Sequence, residues 1–391
     1  MNAPTTTAPA AAFVRGIATW YGYLLIGSYL YLLNVQGNVI PFLQGEFALS
    51  YRVVSLHSSA FAVGIIITGL FGERVVRRFG RRVALRLGAG GLGAGALLLV
   101  VAPAAWASIA SCALMGLFGG LVPSVVPAVF ADLHGERRGQ AYAEQAILAY
   151  TFAIVGPLAT GFFVANSLGW RYAVVIGGIL ALGLIVIFRN VAVPEAADPT
   201  LLRRAHLPAP FWAYFALLCS SCAFEYSMVL WAPAFLERVT GFSPAAAATG
   251  AAGFFAGVLA GRIALRILLT RLRPQTIMLT ALATGIVGFG FYWGTTEPWA
   301  AIVGIVLLGL CLAPLYPLTM ALAIGAARGV NDAASARLNL AAGIALLVAP
   351  AVLGFIADGV GLRLAHLTLP VLILSCLVCF AVARTLERRA T

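Results

Sequence analysis

Displaced by 193 positions, this sequence lands on itself. Pro157, Gly161 and Phe162 fall on Pro350, Gly354 and Phe355. Trp106 falls on Trp299, Phe61 and Gly64 on Phe254 and Gly257, Gly116 on Gly309, Ser50 on Ser243, and Arg78 on Arg271. No gap is needed from about residue 42 to residue 162. Matches of Ala, Gly and Leu mean little in so apolar a chain, whereas matches of Trp and Pro are informative. Two hydrophobic halves of equal length in parallel order imply a duplicated bundle of membrane helices, with any functional site between the halves.

The hydrophobic fraction is 62%, and charged residues make up only 10% of the 391. A soluble fold of this length could not hide that much apolar surface, so the surrounding medium is lipid. Roughly 20 apolar residues cross a bilayer. Runs of that length between Arg or Pro/Gly breaks predict helices near 17–43, 51–73, 83–103, 105–131, 140–166 and 170–190. The second half repeats them near 210–236, 244–269, 276–296, 298–326, 333–359 and 363–385. The expected fold is therefore an all-α membrane protein of twelve spans. Residues 1–190 and 210–391 form two six-helix halves. Between them, 191–209 carries Pro194, Pro199, Pro208 and mixed charges, the mark of a cytoplasmic linker.

A net charge of +12 raises the question of nucleic acid, but its distribution argues against that partner. All 25 basic residues are Arg. With the N-terminus in the cytoplasm, most of them fall on cytoplasmic segments, densest from Arg74 to Arg86, while Arg52, Arg171, Arg238 and Arg363 fall outside. This positive-inside bias puts both ends of the chain in the cytoplasm. The six cysteines all lie inside predicted spans, and no His or acid completes a metal set around either C-x-x-C pair. They read as small apolar packing residues. Gly91/Gly95, Gly116/Gly120 and Gly253/Gly257/Gly261 let helices approach closely. Pro123, Pro127, Pro314 and Pro317 remove backbone bonds from the fourth and tenth helices and suggest kinked, cavity-lining segments.

The 6+6 repeat, the central linker and an Arg-rich 2–3 loop resemble the major facilitator superfamily. That loop reads Gly72-Glu73-Arg74-Val75-Val76-Arg77-Arg78-Phe79-Gly80-Arg81-Arg82. It is similar to the family's G-x-x-x-D-R-x-G-R-R motif, with Arg77 at the acidic position and Glu73 as a substitute carboxylate. Gly156-Pro157 and Gly161 resemble a fragment of the glycine-proline motif of drug:proton antiporters, without its upstream glycines. The resemblance implies a monomeric secondary transporter of the inner membrane, with helices 1, 4, 7 and 10 around a central cavity. It implies a small-molecule substrate, a proton or other coupling ion, and contact with membrane lipid. No phosphate-binding loop, metal set or nucleophile–base arrangement appears. Enzyme activity and a cofactor are not expected, and ion gradients rather than ATP are the expected drive.

Positions that serve the scaffold should match between halves, and positions that serve one asymmetric solute should not. Glu225 lies near the middle of the seventh helix, opposite Leu32 in the repeat. An ionised carboxylate there costs about 3 kcal/mol unless it is paired or takes up a proton, so Glu225 is the candidate proton-coupling residue. It also suits a structural bond to a neighbouring helix. Asn34 and Asn38 share a face of the first helix, with Tyr31 near the same stripe. They fit solute recognition and interhelical bonding equally. Tyr226, Trp231, Tyr316 and Thr319 are further candidates for the cavity wall. Arg262, opposite Gly69 in the repeat, lies in a Gly261-Arg262 context similar to that of carboxylate transporters in the superfamily. It suits either an organic anion or a side chain reaching the interface beside Arg266.

Glu144 and Arg337 are repeat partners of opposite charge. They suggest two gating latches between halves, Glu144 to Arg262 or Arg266 and Arg337 to Glu73, formed when the cytoplasmic side is closed and broken when it opens, with local pairing inside one half as the alternative. His57 is expected to bond at the outer interface, and Asp132 and His134 are expected to be solvated loop residues. The functional expectation is secondary active transport of a small organic solute by alternating access, proton-coupled through Glu225. The alternatives are an organic-anion carrier using Arg262 and a non-transporting membrane receptor or scaffold.

Overall fold

In a computed structural model, residues 14–195, 207–327 and 331–390 are described. The helix α1 spans Ile17–Glu46. A continuous helical trace, Tyr51–Val100, is broken only at Gly80, whose φ of 81° and ψ of 161° lie where side-chain-bearing residues are strained. Its arms, 51–79 and 81–100, are α2 and α3. The expected 2–3 loop is thus a one-residue elbow: the motif is helical up to Phe79 because only Gly80 turns the chain. The next elements are α4 (Ala105–His134), α5 (Arg138–Ala165) and α6 (Arg171–Ile187). In the second half come α7 (Ala209–Arg238), α8 (Pro244–Leu268), α9 (Pro274–Gly294), α10 (Pro298–Ala326), α11 (Asn331–Val360) and α12 (Leu362–Arg389). Ten of these are long and apolar enough to cross a membrane, α6 is a shorter apolar helix, and α1 runs 30 residues with Asn34, Gln36 and Asn38 inside it. No strand occurs among the described residues.

The repeat seen in the sequence is a repeat of contacts. A Cβ added at Gly116 on α4 would strike the Phe61 carbonyl on α2, and one added at Gly309 on α10 would strike the Phe254 carbonyl on α8. The matched glycines therefore exist to let backbone meet backbone, which is how helices associate where lipid supplies no hydrophobic push. Ser50 caps α2 by accepting from the Val53 amide at 3.3 Å, and Ser243 caps α8 from the Ala246 amide at 3.2 Å. Trp106 and Trp299 begin α4 and α10 with their rings exposed, as expected of tryptophans at a bilayer interface.

We call the side where α1 begins and α12 ends the base. The halves join from mid-depth to the opposite, far face, through α2 on α11, α5 on α8 and α1 on α7. At the far face, the Asp358 carboxylate of α11 accepts the amides of Tyr51 (2.8 Å) and Arg52 (2.9 Å) and so caps α2 from the other half. Arg238 donates to the Tyr51 hydroxyl at 2.9 Å, and Ser59 donates to the Leu347 carbonyl at 3.1 Å. Toward the base, α4 and α10 make at most marginal contact among the described residues. Asp358→Ala is expected to remove a cap worth about 1 kcal/mol and to raise the far-face-open population roughly fivefold. Distances between spin labels at the far ends of α2 and α11 measure that shift; an unchanged distribution would refute it.

At the base, Arg81 is nearly buried and donates to Asp132 (2.5 Å) and to the Pro194 carbonyl (3.0 Å), while its amide meets Glu195 at 3.3 Å. Asp132 is exposed, as expected, but the loop placement of Asp132 and His134 is corrected. Both belong to α4, and His134 bonds Thr19 at 3.0 Å. The motif's clasp is built from Asp132 and Glu195, and the Glu73 side chain lies outside the described residues. His57 is bonded as expected, to the Val54 carbonyl and to Ser108, each at 2.8 Å, although it is fully buried.

Candidate functional site

Three helices bring one polar cluster together at mid-depth. The Glu225 carboxylate projects from α7, Arg262 from α8, and Tyr150 reaches between them from α5 of the other half. The Tyr150 hydroxyl donates to Glu225 Oε1 at 3.3 Å and accepts from Arg262 Nη2 at 3.0 Å. The Arg262 guanidinium also lies 4.3 Å from the centre of the Tyr150 ring. A phenol has one proton to give and lone pairs to receive, so it can serve the acid and the guanidinium at once. This order spreads a positive and a negative charge over one neutral bridge. Tyr150 is buried, while Glu225 and Arg262 keep some accessible surface. Tyr226 and Tyr316, also partly exposed, lie within electrostatic reach of Glu225.

The site draws on unlike positions of the repeat. Tyr150 falls opposite Gly343, Glu225 opposite Leu32, and Arg262 opposite Gly69. The same contrast that marked Glu225 in the sequence would have marked Tyr150. It was missed because a tyrosine in an apolar helix carries no charge to draw attention.

Other expected site residues lie elsewhere. Tyr31 is buried and donates to the Ala173 carbonyl of α6 at 2.9 Å, inside the first half. Asn34 and Asn38 are buried and turn back on their own helix, to Leu30 (2.7 Å) and to the Asn34 carbonyl (3.1 Å). Trp231 is fully buried and donates to the Pro350 carbonyl at 3.1 Å, with its ring 5.6 Å from that of Tyr51. These four are corrected from cavity wall to scaffold, because they are buried and their N–H or O–H groups donate within the protein, although Asn38 Oδ1 is buried without a partner among the described residues. Thr319 is likewise fully buried.

Glu144 shows the local pairing that was the alternative to a latch between halves. Glu144 is gripped by Arg15 through two 2.7 Å bonds and also accepts from Tyr23 (3.1 Å) and Gln140 (3.2 Å), all in the first half. The cation comes from Arg15, just before α1, and Arg266 is exposed on α8. Arg337 is also exposed, and its expected partner Glu73 has its side chain outside the described residues. The six cysteines are free thiols.

Comparison with known proteins extends this picture. The family model described as Major Facilitator Superfamily matches residues 22–327 and 214–391. The ascochitine biosynthesis cluster MFS transporter of Didymella fabae is 34% identical over 154 residues, which is 39% of this chain and 28% of that protein. The multidrug efflux pump LfrA of Mycolicibacterium smegmatis is 24% identical over 306 residues, 73% of this chain and 57% of the pump. The chain thus spans less than two thirds of the length of these curated relatives. A bacterial homolog to the human lysosomal transporter Spinster, solved in an inward-facing and occupied conformation, superposes with a TM-score of 0.74 at 14% identity, over 98% of both chains. At that identity the likeness speaks for the fold alone.

Proposed function

Because the chain belongs to the Major Facilitator Superfamily, a family of multi-pass membrane transporters rather than enzymes, we propose that it moves a small organic solute by proton-coupled alternating access. The observation that carries this reading is the Tyr150 hydroxyl bonded to Glu225 and to Arg262 across the seam between halves. An acid in such a place is kept for function by default. When Glu225 takes up a proton, the Tyr150 bridge loses its anionic acceptor and Arg262 loses its counter-charge. Proton binding at Glu225 therefore alters the bond that ties α5 to α7 and α8, which are the elements that must part or close. Tyr226 and Tyr316 supply the adjoining wall. Division into halves 1–190 and 210–391 about the 191–209 linker, both ends in the cytoplasm of an inner membrane, and a monomeric state complete the proposal. The Arg distribution supports that orientation.

The test begins with a thermal-shift screen of small solutes on the purified chain at two pH values, since a ligand stabilises the state it binds. A solute that binds with pH-dependent strength is then loaded against proteoliposomes under an imposed pH gradient. Accumulation that collapses with a protonophore is the expected result; accumulation indifferent to the gradient would refute coupling.

A second reading is favoured by Arg262, whose Nε is buried and without a hydrogen-bond partner among the described residues. A guanidinium with a donor to spare, beside an acid that can be neutralised, suits an organic anion. Under this reading Arg262→Gln weakens binding roughly 100-fold, the equivalent of about 3 kcal/mol for a charged hydrogen-bonded contact. Unchanged solute affinity in that variant would exclude the anion reading and leave proton coupling standing.

A further inference from the structure

Arg82 and Arg86 sit one turn apart at the base of α3, and the Nη2 atoms of both donate to a single acceptor, the Arg189 carbonyl just past the end of α6. Two guanidinium groups crowded on one neutral oxygen repel each other and leave most of their donors unused. Arg82 Nε is itself buried and without a partner. Among the described residues, no carboxylate pairs with either arginine. The contrast with neighbouring Arg81 is instructive, since Arg81 is neutralised by Asp132. The pair therefore has the charge and the spare donors for an anion with several oxygens.

The surroundings say which anion. Here α3 packs on α6, with a Cβ at Gly90 placed 3.6 Å from Ile185. The final turn of α6 presents Val186 (66% exposed) and Ile187 (73% exposed), and Leu87 beside Arg86 is exposed as well. Such apolar side chains face hydrocarbon, and the arginines follow them directly. The boundary between oil and headgroups crosses the structure at this point. A dissolved phosphate would have no use for that flank, but a molecule with an anionic head and apolar tails would fill both parts. Basic pockets between membrane helices hold lipid headgroups by this combination of charge and depth.

We propose that Arg82 and Arg86, at the end of α6, bind the phosphate of an anionic phospholipid whose acyl chains lie on Leu87, Val186 and Ile187. The bound headgroup relieves the repulsion between the two guanidinium groups and ties α3 to α6 behind the Gly80 elbow. The site faces bilayer rather than the central space, so it stands apart from the proposed transport chemistry.

The test uses the purified full chain in neutral detergent micelles. Melting temperature is followed as phosphatidylglycerol, phosphatidylcholine or inorganic phosphate at matched ionic strength is added. Phosphatidylglycerol is expected to raise Tm saturably, with the other two giving little change. Arg82→Gln/Arg86→Gln is expected to weaken apparent phosphatidylglycerol affinity roughly 30-fold, and Arg86→Gln alone about fivefold, which keeps the test open if the double variant fails to fold. Arg74→Gln/Arg78→Gln, on the exposed elbow, is expected to bind as the parent does. An equal response to inorganic phosphate would overturn the lipid assignment, and an equal response to phosphatidylcholine would overturn the anionic one. Unaltered affinity in the Arg82/Arg86 variants, or equal loss in the Arg74/Arg78 control, would overturn the placement.

Discussion

Glu225→Gln is expected to abolish accumulation driven by a pH gradient while solute-for-solute exchange persists. Glutamine keeps the size of the side chain and an oxygen to accept the Tyr150 hydroxyl, so the bridge between α5 and α7 survives. It cannot take up a proton, so the cycle loses its thermodynamic drive. With one proton per solute, a gradient of one pH unit supports about tenfold accumulation, the equivalent of roughly 1.4 kcal/mol. The variant is expected to show a ratio near one. Proteoliposomes loaded with the solute found by thermal shift provide the measurement. Tenfold accumulation by the variant under the same gradient would remove Glu225 from the coupling step.

The second large effect is expected at a residue with no side chain. Gly37 of α1 faces α7 across the seam, and a Cβ placed there would run into the Val229 carbonyl and come within 3.2 Å of the Leu230 Cα. Backbone cannot swing aside as a side chain can. Gly37→Val should therefore leave each half folded, since valine costs a helix no more than glycine does, yet prevent the far face from closing. Overpacking of this kind costs about 2 kcal/mol or more, enough to shift the balance of conformations roughly 30-fold. Transport should fall to background, with spin labels across the far face reporting a wider separation. Parental transport rates in a folded Gly37→Val protein would mean that this crossing does not gate the cycle.

Much of the architecture was legible in the sequence because duplication writes scaffold residues twice. Phe61, Gly64 and Gly116 could be matched to Phe254, Gly257 and Gly309, and the structure uses both sets for the same crossing. Glu225 and Arg262 were legible through their cost, since charge in an apolar helix demands an explanation. Their joining through Tyr150 was not, because spacing along α5 does not reveal which residue of α8 it will meet. Asn34, Asn38 and Tyr31 misled for a related reason: helical periodicity groups residues on a face but does not tell which neighbour that face meets. For Glu144 the expected cations were Arg262 and Arg266 of the other half, whereas here its cation is Arg15, which precedes the ungapped repeat.

The borrowed cap on α2 has a consequence for how the cycle could be watched. Ser50 serves the Val53 amide, but the amides of Tyr51 and Arg52 depend on a carboxylate that belongs to the other half. Each time the halves separate at that end, those two protons are released to exchange with solvent, and each reclosure shields them again. Deuterium uptake at just these two positions would act as a natural clock, timing the protein's excursions without a label or a substrate.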